Sequence, residues 1–293
     1  MLQLSEEFSS GGAHLRFDIY GSQPREHVLD ELAFLAYRLA SVTIEPKTTR
    51  PEPDIVWDQD APGKSIRYDG KTLYLDGEWY QGEVQTTIVS MLALRMEQLG
   101  LHPFHSSAIR YRDRTILFIS GESNHGKTMS QIEGSRRGGL VISTETTVID
   151  EQGLVVTGSK SVFLRTRSKG TERADKPNQD QGVAKFFDKT PDFITYDEPC
   201  DVDLVIVPAI DGNYATQVTE LNQFEREFQT MHSVMDYLGM HLVLAPGIVM
   251  PLLDNDELRA KRADFVHRFA VRPYYFIRAA NPQLMMDEVE KLL

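Results

Sequence analysis

Residues 115–128, TILFISGESNHGKT, constrain the fold more than any other stretch, because an apolar run leads directly into the pattern G-x-x-x-x-G-K-[ST]. Residues 116–119 predict a short buried strand, and residues 129–137 predict a helix. A strand, a glycine-rich loop and a helix in this order are the context in which the pattern, known as Walker A, forms a phosphate-binding P-loop. The sequence therefore predicts an α/β fold built around this loop.

The residues of the loop suit the chemistry of nucleotide phosphates. Glycines let the backbone turn so that successive N–H groups face a phosphate, and the following helix adds its positive N-terminal end. In such a loop the lysine reaches the β- and γ-phosphates, and the hydroxyl after it binds Mg²⁺. For His125 an outward-pointing ring is favoured over a nucleotide contact. The residues predicted to hold the nucleotide are Gly121, Asn124, His125, Gly126, Lys127 and Thr128.

The chain is long enough to bury a core without disulfides, with 293 residues of which 41% are hydrophobic and 25% charged. The elements predicted before residue 83 are short strands and one helix, which indicates a small N-terminal α+β module over residues 1–82. Residues 83–293 then form the domain that contains the loop. Hydrophobic periodicity predicts strands at 14–19, 65–68, 72–75, 140–143, 146–149, 154–157, 203–207 and 272–277, and helices at 26–39, 82–99, 223–238 and 282–293.

Charge and cysteine content exclude several classes of function. A net charge of −12 argues against nucleic-acid binding, which needs a basic patch. Cys200 is the single cysteine, so the chain holds neither a disulfide framework nor a cysteine-based zinc site. No run of 18 apolar residues is present, and the first residues do not resemble a signal peptide. We expect a soluble, cytoplasmic protein that does not associate with membranes.

A longer stretch, FHSSAIRYRDRTILFISGESNHGKTMSQIEGSRRGGLVISTETTVID, resembles the catalytic core of the HPr kinase/phosphorylase family. The segments DVDLVIVPAI and VRPYYFIRAANPQLMMDEVEKLL resemble the central strand and the closing strand and helix of that family. The similarity covers about residues 84–293. It implies an HPr-kinase/PEP-carboxykinase-like P-loop core with a mixed sheet, to which the N-terminal module is added.

The resemblance implies an Mg²⁺-dependent kinase that moves the γ-phosphoryl group of ATP, or of another nucleoside triphosphate, onto a hydroxyl. The preferred acceptor is a serine of a peptide or protein. A small-molecule alcohol in a biosynthetic pathway is the alternative acceptor, and a non-catalytic nucleotide sensor or scaffold is the alternative class. HPr itself is not expected as the substrate, because the family's signature for dephosphorylating it is not found. Family members form rings, which makes a homo-oligomer plausible.

The family resemblance also implies the catalytic residues, which are Lys127, Glu145 and His105. Thr144 and Glu145 stand where the family has a pair of aspartates, so one carboxylate is missing and the other is longer. Glu145 is expected to act as a base or, with Thr128, as an Mg²⁺ ligand, rather than as a solvated acid. His105 is expected to orient this carboxylate or to contact the phosphoryl group, and a purely structural role is an equal alternative.

Two arginines provide a further candidate phosphate contact. Arg165 and Arg167 alternate along the segment VFLRTR, which places both side chains on one face of a strand. Two guanidinium groups on one face would clamp a phosphate. A solvated strand face is an equally good interpretation. The polar segment 168–181 that follows has no periodicity and predicts a loop, either flexible or ordered over a substrate.

Overall fold

The computed structural model describes residues 2–22, 32–46, 48–120, 125–164, 183–186, 193–238 and 247–293. Within these ranges the chain is a mixed α/β protein with two large mixed sheets, one small hairpin and six helices. None of the helices in this part of the chain is both long and apolar enough to cross a membrane.

The first sheet is built from residues before 80. Its strands are β1 (Leu2–Ser10), β2 (Ala13–Tyr20), β3 (Thr43–Glu45), β4 (Ile55–Asp58), β5 (Ser65–Tyr68) and β6 (Leu73–Asp76). They lie in the order β3-β1-β2-β4-β6-β5, with β2, β4 and β6 parallel and the other pairs antiparallel. Along β2 the side chains of Leu15, Phe17 and Ile19 point to one face and are buried, as the two-residue period of a strand requires.

Helix α1 (Leu32–Arg38) precedes β3, and α2 (Gln81–Gln98) follows the first sheet. The helix predicted over residues 26–39 is present in its described part as α1, and the one predicted over 82–99 is α2. Apolar side chains of α2, such as Ile88 and Leu92, lie in one buried cluster with Phe17 and Trp57 of the first sheet. The same cluster includes Val148 of the second sheet. The first sheet and the rest of the chain therefore share a core, and the division at residue 82 stays a prediction.

The second sheet contains the strands that flank the glycine-rich loop. Its nine strands in the described residues are β7 (Leu101–Tyr111), β8 (Arg114–Ile119), β9 (Leu140–Ser143), β10 (Thr146–Asp150), β11 (Leu154–Gly158), β14 (Cys200–Asp201), β15 (Leu204–Ile210), β16 (Gln217–Glu220) and β17 (Tyr274–Ala279). The hairpin β12 (Ser161–Leu164) and β13 (Val183–Phe186) is separate. The helices are α3 (Lys127–Arg136), α4 (Gln223–Leu238), α5 (Asp256–Phe269) and α6 (Pro282–Glu290).

Strand β7 lies in the middle of the second sheet. It pairs with β8 along one edge and with β10 and β9 along the other, all antiparallel. Strands β8, β15 and β17 are parallel, so the sheet is mixed. Nearly every residue of β7 is buried, as expected for a strand covered on both faces. The end of β8 and the start of β10 therefore flank the same part of β7, one along each edge.

Helix α5 has no counterpart among the predicted elements, because half of its residues are charged. It is attached to α2 by a buried ion pair. The Arg262 guanidinium is 2% exposed and donates from Nε to Glu97 at 2.8 Å and from Nη1 to Asp254 at 2.9 Å. The carboxylates of Glu97 and Asp254 thus compensate the buried charge of Arg262. In turn, the buried Glu97 carboxylate is tolerated because Arg262 lies beside it.

Replacing Arg262 with alanine is predicted to destabilise the fold strongly. The substitution leaves Glu97 buried without its cation, a change that costs about 3–5 kcal/mol in comparable buried pairs. The free energy of unfolding in urea measures the effect. The control is Lys261→Ala on the same helix, where only an exposed pair with Glu257 is lost and a much smaller effect is expected. Equal unfolding midpoints for the two variants would contradict this interpretation.

Candidate functional site

The glycine-rich loop joins the carboxyl end of β8 to the N-terminus of α3. Gly126 precedes α3 with φ of 107°, a conformation that residues with a side chain rarely adopt. A Cβ atom at this position would lie 2.6 Å from Cγ1 of Ile210, the last residue of β15. The Ile210 N–H donates to the carbonyl of half-buried His125 at 3.1 Å. Gly126 is therefore required by its backbone conformation and by the close approach of β15.

The side chain of Lys127 begins α3 and is buried at the end of β8. Its Nζ donates to the carbonyl oxygen of Ser120 at 3.3 Å and to the Ser120 Oγ at 3.2 Å. Burial lowers the pKa of Lys127, and the nearby carboxylates of Glu145 and Asp236 oppose this shift. Thr128, the next residue, is half-buried in the first turn of the helix. The Lys127 ammonium group thus joins the start of α3 to Ser120, the residue that follows β8.

Pairing of the strands brings His105 and Glu145 together. His105 lies on β7 opposite Thr146 of β10, so Glu145 sits immediately before that strand. The Ser106 N–H donates to the carbonyl of Glu145 at 2.9 Å, which fixes the backbone there. Both side chains are buried, and His105 Nε2 lies 2.9 Å from Glu145 Oε1. The two residues that the sequence singled out are in direct contact.

Asp236 of α4 approaches the same histidine from its other side. Its Oδ2 lies 3.0 Å from His105 Nδ1. The helix is attached to both strands, since the Ser233 hydroxyl donates to the carbonyl of His105 at 3.0 Å and the Tyr237 hydroxyl donates to that of Glu145 at 3.0 Å. The imidazole ring thus lies between two carboxylates, Glu145 at Nε2 and Asp236 at Nδ1.

The N-terminal part of the chain also contributes to this group. An Nη1 atom of Arg38, the last residue of α1, lies 3.5 Å from Glu145 Oε1 and 3.4 Å from Asp236 Oδ2. Tyr37 hydrogen-bonds to Glu145 through its hydroxyl. The Thr146 hydroxyl lies 2.7 Å from the carbonyl oxygen of Arg38. Helix α1 is therefore fixed beside the carboxylates by both its side chains and its backbone end.

The charges in this cluster change one another's protonation. Burial alone would raise the pKa of Glu145, but His105, Arg38 and Lys127 lower it to about 2. Burial alone would lower the pKa of His105, but Glu145 and Asp236 raise it above its usual value. The pKa of Asp236 is lowered against the effect of burial, by His105 and then by Arg38 and Lys127. Both carboxylates are thus charged at neutral pH.

Metal binding by the protein alone is not indicated by the described residues, since no group of three or more His, Cys, Asp and Glu side chains there is arranged to hold an ion. Mg²⁺ bound with a nucleotide needs less, because it takes one or two protein ligands and completes its shell with phosphates and water. A threonine hydroxyl at the start of α3 and the anionic Glu145 are oxygen donors of that kind. By their donor chemistry, a hydroxyl and a carboxylate suit such an ion.

Several predicted contacts lie outside the described residues, namely those of Gly121, Asn124, Arg165, Arg167 and the segment 168–181. Conversely, Arg38 and Asp236 were not predicted as site residues. One signal was present in α4: the face that is buried carries the polar residues Thr230, Ser233 and Tyr237 at helical spacing. Polar residues on a buried helix face need hydrogen-bond partners, which marks the helix as part of a polar site.

No protein-family model matches the sequence, and no curated protein matches it significantly. The function is therefore inferred from the geometry of the site. That geometry is a buried lysine at a helix N-terminus beside two carboxylates, a histidine and an arginine. Such a set of charges has the chemistry to bind an anionic group and to move or hold a proton next to it.

Glu145→Gln is predicted to weaken the loss of stability in acid. A carboxylate with a folded-state pKa of about 2, below its unfolded value of about 4.3, stabilises the fold above that unfolded value. The contribution is lost as the pH falls towards 2. Between pH 6 and pH 3 the wild type should therefore lose on the order of 1–2 kcal/mol more than the variant.

The measurement is the free energy of urea unfolding at the two pH values. Glu257→Gln is the control, because Glu257 is exposed on α5 and contacts only Lys261 in the described ion pairs. It should change the difference between pH 6 and pH 3 far less than Glu145→Gln does, because its pair with Lys261 is exposed to solvent. An unchanged difference in Glu145→Gln would mean that the cluster does not hold this carboxylate in its charged form.

Proposed function

We propose that this protein is a nucleotide- and Mg²⁺-dependent kinase with a P-loop core, which transfers a phosphoryl group to a serine hydroxyl of a peptide or protein. The observation that carries the proposal is the contact between His105 and Glu145 beside the buried ammonium of Lys127, where β8 leads towards α3. The carboxyl ends of parallel strands are the usual place for ligands in open α/β sheets, and a helix N-terminus favours phosphate.

The proposed reaction is a direct transfer. The bond between the γ-phosphorus and the oxygen bridging it to the β-phosphate breaks, and a bond forms between the γ-phosphorus and the acceptor oxygen. The proton of the acceptor hydroxyl passes to the Glu145 carboxylate. In phosphoryl transfer, positioning and neutralisation of charge provide most of the catalysis. Lys127 would leave its contacts with Ser120 to meet the phosphates, and His105 would hold Glu145 in place.

Thr128 and Glu145 are the residues that would hold Mg²⁺. A bound Mg²⁺ supplies positive charge to the phosphate oxygens. The chain's own cations complement it, since Lys127 and Arg38 both lie near the Glu145 carboxylate. Whether Glu145 binds the ion or receives the proton, its negative charge at neutral pH is needed.

The acceptor class is supported by the resemblance rather than by contacts. One observation bears on where the acceptor lies: Arg38 brings α1, which belongs to the N-terminal module, next to Glu145. An acceptor held by that module would therefore reach the reacting groups. A small-molecule alcohol kinase and a non-catalytic nucleotide sensor are the alternatives that the experiments below separate.

Nucleotide binding is predicted to depend on Lys127. Calorimetry with Mg²⁺ and ATP, ADP or GTP should give micromolar dissociation constants for the wild type and at least tenfold weaker binding for Lys127→Ala, because the phosphates lose a charge-assisted contact. Lys291→Ala is the control, since this exposed lysine pairs with Glu288 at the far end of the chain. Failure of the wild type to bind any of the nucleotides would overturn the proposal.

Turnover separates a kinase from a sensor. Nucleotide hydrolysis or transfer by the wild type should require Mg²⁺, and Glu145→Gln should reduce kcat at least a hundredfold while nucleotide still binds, because the reaction loses its acid–base group. A sensor would bind nucleotide without turning it over, and Glu145→Gln would leave its nucleotide affinity unchanged. Screening serine peptides against small alcohols as acceptors then separates the two kinase classes.

A further inference from the structure

Asp236 approaches His105 from α4, a helix outside the glycine-rich loop and its neighbouring strands. Its carboxylate lies at Nδ1 of His105, on the side opposite Glu145. It is too distant from Glu145 in the sequence for any local motif to join them. Its side chain is about 14% exposed, whereas those of His105 and Glu145 are almost fully covered.

We propose that Asp236 is a positioning residue, whose carboxylate fixes the His105 ring so that Nε2 stays directed at Glu145. This inference rests on the proposed function, because the reaction that Asp236 serves is the phosphoryl transfer argued above. Asp236 acts through His105 and does not contact nucleotide or acceptor in this scheme.

The position of Asp236 is itself fixed by contacts of α4 on both sides of it. Ser233 and Tyr237, three residues before it and one after it, donate to the backbone carbonyls of His105 and Glu145. One turn before Ser233, the Thr230 hydroxyl lies 2.6 Å from the Tyr274 hydroxyl. The helix therefore cannot shift or rotate without breaking contacts with the residues whose side chains it positions.

An imidazole that has a carboxylate at each nitrogen has one orientation. Rotation of the ring about χ2 would move both nitrogens away from Glu145 and Asp236 and leave buried polar atoms without these contacts, at the cost of their desolvation. The contact of Asp236 with Nδ1 is an ion pair at 3.0 Å without the alignment of a hydrogen bond, so the carboxylate holds the ring through its charge. A partner at the second nitrogen commonly determines how a functional histidine presents the first one. Among metal-ligating histidines, loss of such a partner reduces metal affinity or activity about 10- to 100-fold.

Because Asp236 is present, the Arg38 guanidinium contacts two carboxylates instead of one. The Nη1 atom lies at nearly equal distances from Glu145 and Asp236, 3.5 and 3.4 Å. Without Asp236, Arg38 would have Glu145 as its remaining anionic neighbour in this cluster and would compete with His105 for the Oε1 atom. Within the described part of the chain, Lys127 from α3 and the ring of Tyr237, edge-on at 6.0 Å, also face His105.

The test is steady-state kinetics of Asp236→Asn with the full chain and Mg²⁺–ATP. The change keeps the shape of the side chain but removes its charge. We expect kcat to fall 10- to 100-fold, with the nucleotide KM and the thermal midpoint close to those of the wild type. The matched control is Glu227→Gln on the same helix, which removes another carboxylate–histidine contact, that with His267 at the surface. It should leave kcat unchanged.

A double-mutant cycle identifies the route of the effect. If Asp236 acts through His105, adding Asp236→Asn to His105→Gln should lower kcat by less than threefold beyond His105→Gln alone. Independent structural roles would make the two reductions multiply. Multiplicative effects, or a wild-type kcat in Asp236→Asn, would overturn the inference while leaving the proposed function standing. An inactive wild type would overturn both.

Two longer variants keep the inference testable if Asp236→Asn does not fold. Asp236→Glu and Asp236→Gln have the same length and differ in charge. If Asp236→Glu has a kcat at least tenfold higher than that of Asp236→Gln at a similar thermal midpoint, the carboxylate positions the histidine. Equal kcat values for the two variants would overturn it.

Discussion

The burial of two carboxylates beside one histidine is the constraint on which much of this structure depends. A buried carboxylate is tolerated only when cations or hydrogen-bond donors replace its lost water. Around Glu145 and Asp236 this compensation comes from His105 on β7, Lys127 on α3 and Arg38 on α1. Three separate parts of the chain must therefore meet at one point, and removing any one of them leaves charge without compensation.

The order of strands explains how that meeting is achieved. Because β7 pairs with β8 on one edge and β10 on the other, a residue in the middle of β7 is next to both the glycine-rich loop and Glu145. Helix α4 crosses this point and is attached to it by Ser233 and Tyr237. The N-terminal sheet shares its core with α2 and places α1 at the same point. Strands β7, β8 and β10 and helices α1 and α4 are therefore all close to His105.

Periodicity and the glycine pattern predicted part of the local structure, whereas strands β1, β4 and β16 had no counterpart among the predicted elements. The strand before the loop, the hairpin of β10 and β11, and the helices α2 and α4 were predicted because each depends mainly on its own residues. Glu145 and His105 followed from resemblance and are in contact. Asp236 and Arg38 were not predicted, because their role depends on pairings between distant elements that no local pattern encodes. Helix α5 was not predicted, because its apolar face is narrow and includes a charged residue, Arg262.

The low pKa of Glu145 bears on how the proposed reaction would proceed. A carboxylate with a pKa of about 2 is a weak base towards the proton of an alcohol. Arrival of a nucleotide would draw Lys127 towards the phosphates and place negative charge nearby. Both changes raise the pKa of a neighbouring carboxylate. The contacts of Asp236 with His105 and Arg38 would keep the histidine oriented while the basicity of Glu145 increases. The buried cluster would thus become competent for proton transfer only when the nucleotide is bound.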